Sequence, residues 1–121
     1  METTPPGKVL IVDDSLLVRA QVVRALTGAG FAVVEANDGV DGLAKLSANP
    51  DVGLVVCDVN MPRMSGLELL ERTPAGLAVL MLTTEGHSEL IQRARALGAK
   101  GWITKPFDAD LLVATVRKLL G

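Results

Sequence analysis

The sequence predicts an α/β fold, a five-stranded parallel sheet doubly wound so that helices cover both faces, and three observations carry that prediction. Five short apolar runs alternate strictly with five segments whose apolar residues recur at helical spacing, and each parallel connection needs a right-handed crossover through a helix. The run Leu54 to Cys57 shows no alternation of apolar and polar residues, so both of its faces must be covered, and it belongs in the middle of the sheet. Ionisable or hydroxyl residues stand just past the strand ends, at Asp13 and Asp14, Asp58, Thr83 and Lys105. Open α/β sheets bind their ligands beyond the carboxyl ends of the strands.

The elements follow in order. Lys8 to Val12 is a β-branched run, and Ser15 then opens a helix carrying Leu17, Val18, Val22 and Leu26 on one face. Gly28 and Gly30 stop it, since glycine supplies the left-handed conformation of a helix end, and Phe31 to Val34 is the second strand. Asn37 or Asp38 caps a helix over Gly39 to Ser47 with Val40, Leu43, Ala44 and Leu46 on its apolar face. Asn49-Pro50-Asp51 turns the chain into Leu54 to Cys57, which stops at Asp58 and is turned by Pro62. The loop Arg63 to Gly66 leads into a short helix, Leu67 to Arg72, cut off by Pro74. Ala78 to Leu82 is the fourth strand, and Ser88 caps a helix over Glu89 to Leu97. Gly98 and Gly101 bracket the fifth strand, Gly101 to Thr104, which Lys105-Pro106 ends. Asp108 caps the last helix, Ala109 to Leu120, whose stripe is Leu111, Leu112, Ala114, Val116 and Leu119.

Composition narrows the function. A chain of 121 residues fits one domain, and folding at this size buries roughly 65% of the unfolded surface. Hydrophobic content of 49% with 21% charged residues is globular, and no apolar run approaches the ~20 residues of a membrane helix, so membrane insertion is not expected. The start METTPPGK lacks the basic and apolar parts of a secretory signal, which with a single cysteine predicts a cytoplasmic protein. A net charge of −2 without blocks of like charge argues against direct nucleic-acid binding. The expected organisation is a single domain over 1–121 with a flexible segment at 1–7 and no output domain.

At the carboxyl rim of such a sheet Asp13, Asp14, Asp58, Thr83 and Lys105 converge on one crevice. Packed carboxylates repel one another, which raises a pKa or demands a cation, and an all-oxygen site suits a hard ion such as Mg2+. Lys105 offers an ammonium, and Thr83 a hydroxyl, for the oxygens of a transferred phosphoryl group; Asp58 is the expected nucleophile.

The motifs VDD after the first strand, CDVNMPRMSG around Asp58, VLMLTTEG at the fourth strand and GWITKPF at the fifth resemble a response-regulator receiver domain nearly end to end, and most of all the single-domain chemotaxis regulators. The resemblance implies a flavodoxin-like fold with strand order 2-1-3-4-5. It also implies that Asp58 accepts a phosphoryl group from a histidine kinase or histidine phosphotransfer protein. Asp13, Asp14, Asp58 and the backbone carbonyl of Asn60 would then form the Mg2+ site, with Thr83 and Lys105 as phosphoryl ligands. Thr83 and Trp102 would act as the switch pair. Asn60 and Glu85, each two residues past a motif residue, would tune autodephosphorylation toward a brief phosphorylated state. A downstream protein would be met by the face of the fourth helix, fifth strand and fifth helix. Two departures stand out: tryptophan where relatives carry tyrosine or phenylalanine, and a shortened segment between Leu70 and Val79 that predicts a stunted third helix.

Other readings compete with the switch. A haloacid-dehalogenase-type phosphatase also uses an aspartyl phosphate and Mg2+, but it needs a second aspartate two residues after the nucleophile, where this chain has the amide Asn60. A receiver fold working as an interaction scaffold without phosphorylation is the remaining alternative, and the complete acidic set with Lys105 argues against it. Cys57 reads as a buried apolar filler and His87 as a solvated residue where a helix opens.

Overall fold

The computed structural model describes residues 7–120, so all of the expected flexible segment 1–7 except Gly7 lies outside the described residues. Five parallel strands lie in the order β2-β1-β3-β4-β5: β1 Lys8–Val12, β2 Val33–Ala36, β3 Val52–Cys57, β4 Ala78–Thr83 and β5 Gly101–Thr104. The helices are α1 Leu16–Gly28, α2 Gly39–Ala48, α3 Gly66–Arg72, α4 Ser88–Ala96 and α5 Ala109–Leu120. The predicted flavodoxin-like order is therefore the observed one, with β3 in the centre.

Alternation along the strands sorts the core into two layers. Leu10, Val12, Val55, Cys57, Val79 and Met81 face α2, α3 and α4. Val9, Ile11, Leu54, Val56, Leu80, Leu82 and Ile103 face α1 and α5, where Val22, Leu26, Leu112 and Val116 meet them. Because each β-strand sends successive side chains to opposite faces, an uninterrupted apolar run feeds both layers at once.

Several boundaries and faces differ from those read in the sequence. β2 is Val33–Ala36, not Phe31–Val34, because the backbone of Phe31 closes α1. Gly30, at φ +95°, donates to the carbonyl of Thr27 at 3.0 Å, and Phe31 donates to that of Leu26 at 3.0 Å. This is the Schellman pattern, in which a left-handed glycine bends the chain back onto the helix end. The Phe31 ring is instead buried under the guanidinium of Arg117, 5.2 Å from the ring centre. The cap of α4 is His87, not Ser88, and its side chain makes no capping bond.

Helix α2 docks through two glycines together with half of the expected stripe, Leu43 and Leu46, which pack half-buried against the core. Gly39 and Gly42 are buried while Val40 and Ala44 are exposed, and a Cβ on Gly42 would lie 3.2 Å from Val12. The missing side chains bring the helix close to the sheet. Leu17 of α1 and Leu111 of α5, also expected inside, are exposed, as is Leu16. Helix α3 is stunted as predicted. Its seven residues are opened by a capping box in which Ser65 accepts from the Glu68 amide at 3.2 Å and Glu68 accepts from the Ser65 amide at 3.4 Å. No helix among the described residues is long and apolar enough to cross a membrane.

Candidate functional site

The crevice is built where β1, β3, β4 and β5 end. Asp13 and Asp58 follow β1 and β3 directly, and the Asp58 amide donates to the Val12 carbonyl at 3.2 Å, which levels the two strand ends. Thr83 is the last residue of β4 and pairs with Thr104, so Lys105 enters the crevice from the neighbouring strand. The Lys105 amide donates to the Thr83 carbonyl at 2.8 Å.

Lys105 is the centre of the arrangement. Its ammonium donates to Asp13 Oδ2 at 2.8 Å and to Asp58 Oδ2 at 2.9 Å, joining strands β1, β3 and β5 through one charged group. The other oxygen of each carboxylate takes a backbone donor: Ser15 N–H to Asp13 Oδ1 at 2.9 Å, and Asn60 N–H to Asp58 Oδ1 at 3.2 Å. Asp13 and Asp58 are 3% and 8% exposed, and Thr83 is fully buried. Burial works against the Lys105 ammonium, yet its hydrogen bonds to Asp13 and Asp58 and their negative charge outweigh it and hold its pKa above the ordinary value.

Asp14 is exposed and completes the acidic set. One carboxylate oxygen from each of Asp13, Asp14 and Asp58 lies within 4.8 Å of the others. Three carboxylates against one ammonium leave a formal charge of −2, and the donors are all oxygen, which fits a hard divalent cation.

The second group of predicted residues forms a chain of contacts at the rim. Asn60 Nδ2 donates to Glu85 Oε1 at 2.8 Å. The Glu85 amide donates to Thr83 Oγ1 at 3.3 Å, and its carbonyl accepts the indole N–H of Trp102 at 2.9 Å. Trp102 is half-buried, its remaining contacts lying in the layer under α4. His87 is exposed, with Nε2 3.5 Å from Glu85 Oε2. Cys57 is buried in the layer below, and burial first, then the negative charge of Asp58 and Asp13, pushes its thiol pKa far up, so it is not a nucleophile.

Two arrangements escaped the sequence. Arg19 donates to the backbone carbonyl of Asp13 at 2.6 Å and pairs with Glu35 at 3.1 Å, fixing the turn that carries the acids. Its position one turn into α1 was the available signal. Asp38, expected only as a possible cap, does cap α2 through Asp41 N–H at 2.8 Å, but it also pairs with Arg63. Nothing in the sequence joins those two residues.

The family model of the response regulator receiver domain matches residues 9–117. The chemotaxis protein CheY of Treponema pallidum is 38% identical over 120 residues, covering 95% of this chain and 83% of that protein. CheY1 of Helicobacter pylori is 35% identical over 120 residues, covering 94% of this chain and 97% of the relative. Among solved structures, Vibrio cholerae CheY4 superposes with a TM-score of 0.88 at 39% identity, covering 96% of this chain and all of that one. The CheX–CheY–BeF3–Mg2+ complex of Borrelia burgdorferi gives 0.90 at 30% identity, covering 96% of this chain and 90% of that one. With the order 2-1-3-4-5 and the acidic crevice in place, the chain belongs to the family of response regulator receiver domains.

Proposed function

We propose that the chain is a phosphorylation-dependent signalling switch, and the observation that carries this reading is the Lys105 ammonium held between Asp13 and Asp58 beside Asp14. Asp58 is the acceptor: one of its carboxylate oxygens forms an O–P bond as the N–P bond of a phosphohistidine breaks and the imidazole leaves. Asp13, Asp14, Asp58 and the Asn60 carbonyl would hold Mg2+, which would neutralise the charge on the phosphoryl oxygens. The Mg2+ and BeF3 in the structure of the Borrelia relative support this assignment.

The chain's own residues do the remaining work. Lys105 gives up a carboxylate contact to pair with a phosphoryl oxygen, and the Thr83 hydroxyl, whose oxygen accepts from Glu85, has its proton to donate to another. That pull on Thr83 is passed to Glu85 and to Trp102, whose indole holds the Glu85 carbonyl. The half-buried Trp102 lies on β5, within the α4–β5–α5 face that meets a downstream protein. The donor is a sensor histidine kinase or histidine phosphotransfer protein in the cytoplasm. A chemotaxis output follows the character of the relatives. The chain is not an enzyme toward other molecules; it catalyses its own phosphorylation and dephosphorylation.

The test is intact mass after incubation with acetyl phosphate and Mg2+, with Trp102 fluorescence followed in parallel. One phosphoryl group that disappears in Asp58→Asn and in chelator supports the switch. An unmodified chain whose tryptophan also ignores beryllofluoride favours a scaffold that works without phosphorylation.

A further inference from the structure

Arg63 has φ 69°, the only non-glycine residue with positive φ among the described residues. The left-handed region is unfavourable for a residue with a Cβ, and such strain persists only where surrounding contacts over-determine it. Here the contacts are specific. The guanidinium pairs with Asp38, a carboxylate only 2% exposed at the start of α2. The next residue, Met64, is buried against Gly39, where an added Cβ would lie 2.8 Å from the Met64 Cβ. The loop from β3 to α3 is thus seated on the start of α2 by a charge pair and by a side chain that needs a glycine beneath it.

The same loop begins with the reactive residue. Asn60, three residues before Arg63, orients Asp58 Oδ1 through its amide and is tied on the other side to Glu85. The Gly66 amide donates to the Val59 carbonyl at 2.8 Å, and the Met64 amide to the Pro62 carbonyl at 2.7 Å, so residues 59 to 66 form one closed turn. A closed turn pinned at Arg63 transmits that position to its first residues.

We propose that Arg63, through Asp38, is a positioning residue for the acidic crevice, holding the Asn60 carbonyl and the Asp58 carboxylate in the arrangement that binds a divalent cation. The inference rests on the proposed reading of that crevice as a Mg2+ site. Strain at Arg63 is retained because the pair fixes the loop, not because α2 needs another contact: α2 already has Asp38 as its cap.

The experiment is calorimetric titration of Mg2+ into the unphosphorylated chain, with no phosphodonor present. Arg63→Gly removes the guanidinium and relieves the left-handed backbone, and Arg63→Gln keeps a side chain and the strained backbone but loses the charge and the reach of the guanidinium. Both are expected to weaken Mg2+ binding roughly tenfold, the lower range for partners that orient metal ligands. Arg63→Gly should keep its melting temperature, because relieved strain offsets the lost pair. A purely structural role would lower the melting temperature and leave the Mg2+ affinity of the folded chain alone. Affinities within twofold of the parent in both variants overturn the proposal. A parent chain that binds no Mg2+, or binds it equally well as Asp58→Asn, overturns the metal reading itself and this inference with it.

Discussion

Asn60 Nδ2 and Glu85 Oε1 meet at 2.8 Å across the mouth of the crevice, joining the loop after β3 to the loop after β4. These are polar side chains at the point where water would approach a phosphorylated Asp58, and a water attacking phosphorus needs an acceptor for its proton. Glu85 can take that proton while the Asn60 amide can only orient the water, and Asn60→Ala and Glu85→Ala are each expected to slow loss of the phosphoryl group roughly threefold to tenfold, below the ~10²–10⁴-fold of a full general base. The double variant should fall short of the product of the two, because residues in contact do not act independently. Decay of the phosphorylated chain followed by mass after removal of the phosphodonor checks both points. A parent half-life of hours, unchanged in the variants, removes the tuning role.

Lys105 both compensates the acids and competes with a cation for them. In Lys105→Met, Asp13 and Asp58 stay buried without their ammonium, which should cost about 2–3 kcal/mol of folding stability in the absence of metal, slightly below the range for a fully buried broken pair. Millimolar Mg2+ should restore most of that loss, since a ligand that binds only the folded chain stabilises it by mass action. Urea denaturation with and without Mg2+ reads the difference. Phosphorylation should remain poor in both conditions, because the ammonium for the phosphoryl oxygen is gone.

Two groups contribute to the pH dependence of stability from opposite sides. The Lys105 pKa lies above its ordinary 10.5, so its contribution is complete below that value and is lost as pH rises through the higher folded value. The Asp38 pKa lies below its ordinary 3.8, chiefly through the Asp41 amide, with burial opposing and Arg63 assisting. Its contribution is complete above 3.8 and is lost as pH falls through the lower folded value. Asp38→Asn should therefore flatten the acid limb of a melting-temperature profile and leave the alkaline limb alone, while Lys105→Met should flatten the alkaline limb.

Two glycines should respond in opposite ways to the same methyl group. A Cβ on Gly66 would lie 2.1 Å from the Asp58 carbonyl oxygen, a backbone atom that cannot step aside without moving the acceptor. Gly66→Ala is expected to cost about 3 kcal/mol, the upper end for overpacking, and to abolish Mg2+ binding. Gly28, the last residue of α1, has nothing within 4 Å of its would-be Cβ, and Gly28→Ala should stabilise by about 0.5 kcal/mol. Chemical denaturation of the two variants side by side checks the contrast.

The strand order was legible only through the resemblance that the VDD, CDVNMPRMSG, VLMLTTEG and GWITKPF motifs carry, whereas the gathering of Asp13, Asp14, Asp58 and Lys105 follows from two local signals: apolar runs that never alternate, and charged residues placed where those runs stop. Once the strands are parallel, their ends must share a rim. The faces of the helices were less legible. Periodicity put Leu17 and Leu111 inside, but the sheet is narrow and each covering helix buries only the residues nearest it, leaving both exposed. In α2 the spacing found Leu43 and Leu46, which pack on the core, but part of the burial signal was an absence, two glycines whose missing side chains admit the sheet, and hydrophobic spacing does not register that. The Asp38–Arg63 pair was invisible for a different reason. It depends on where two loops from different strands come to rest, and each residue alone fits an ordinary turn.

The thiol of Cys57 lies one residue before the acceptor, on the strand at the centre of the sheet, enclosed on both sides. A thiol-reactive reagent can reach it only when the covering helices lift or the sheet opens, so the rate of modification counts openings of the core, not events at the surface. The lone sulfur is thus a clock wired to the reactive residue's own strand. Any group bound at Asp58 that favours the closed sheet should slow that clock in proportion to its hold on the folded chain, so occupancy of the crevice becomes readable from a site that never touches the ligand.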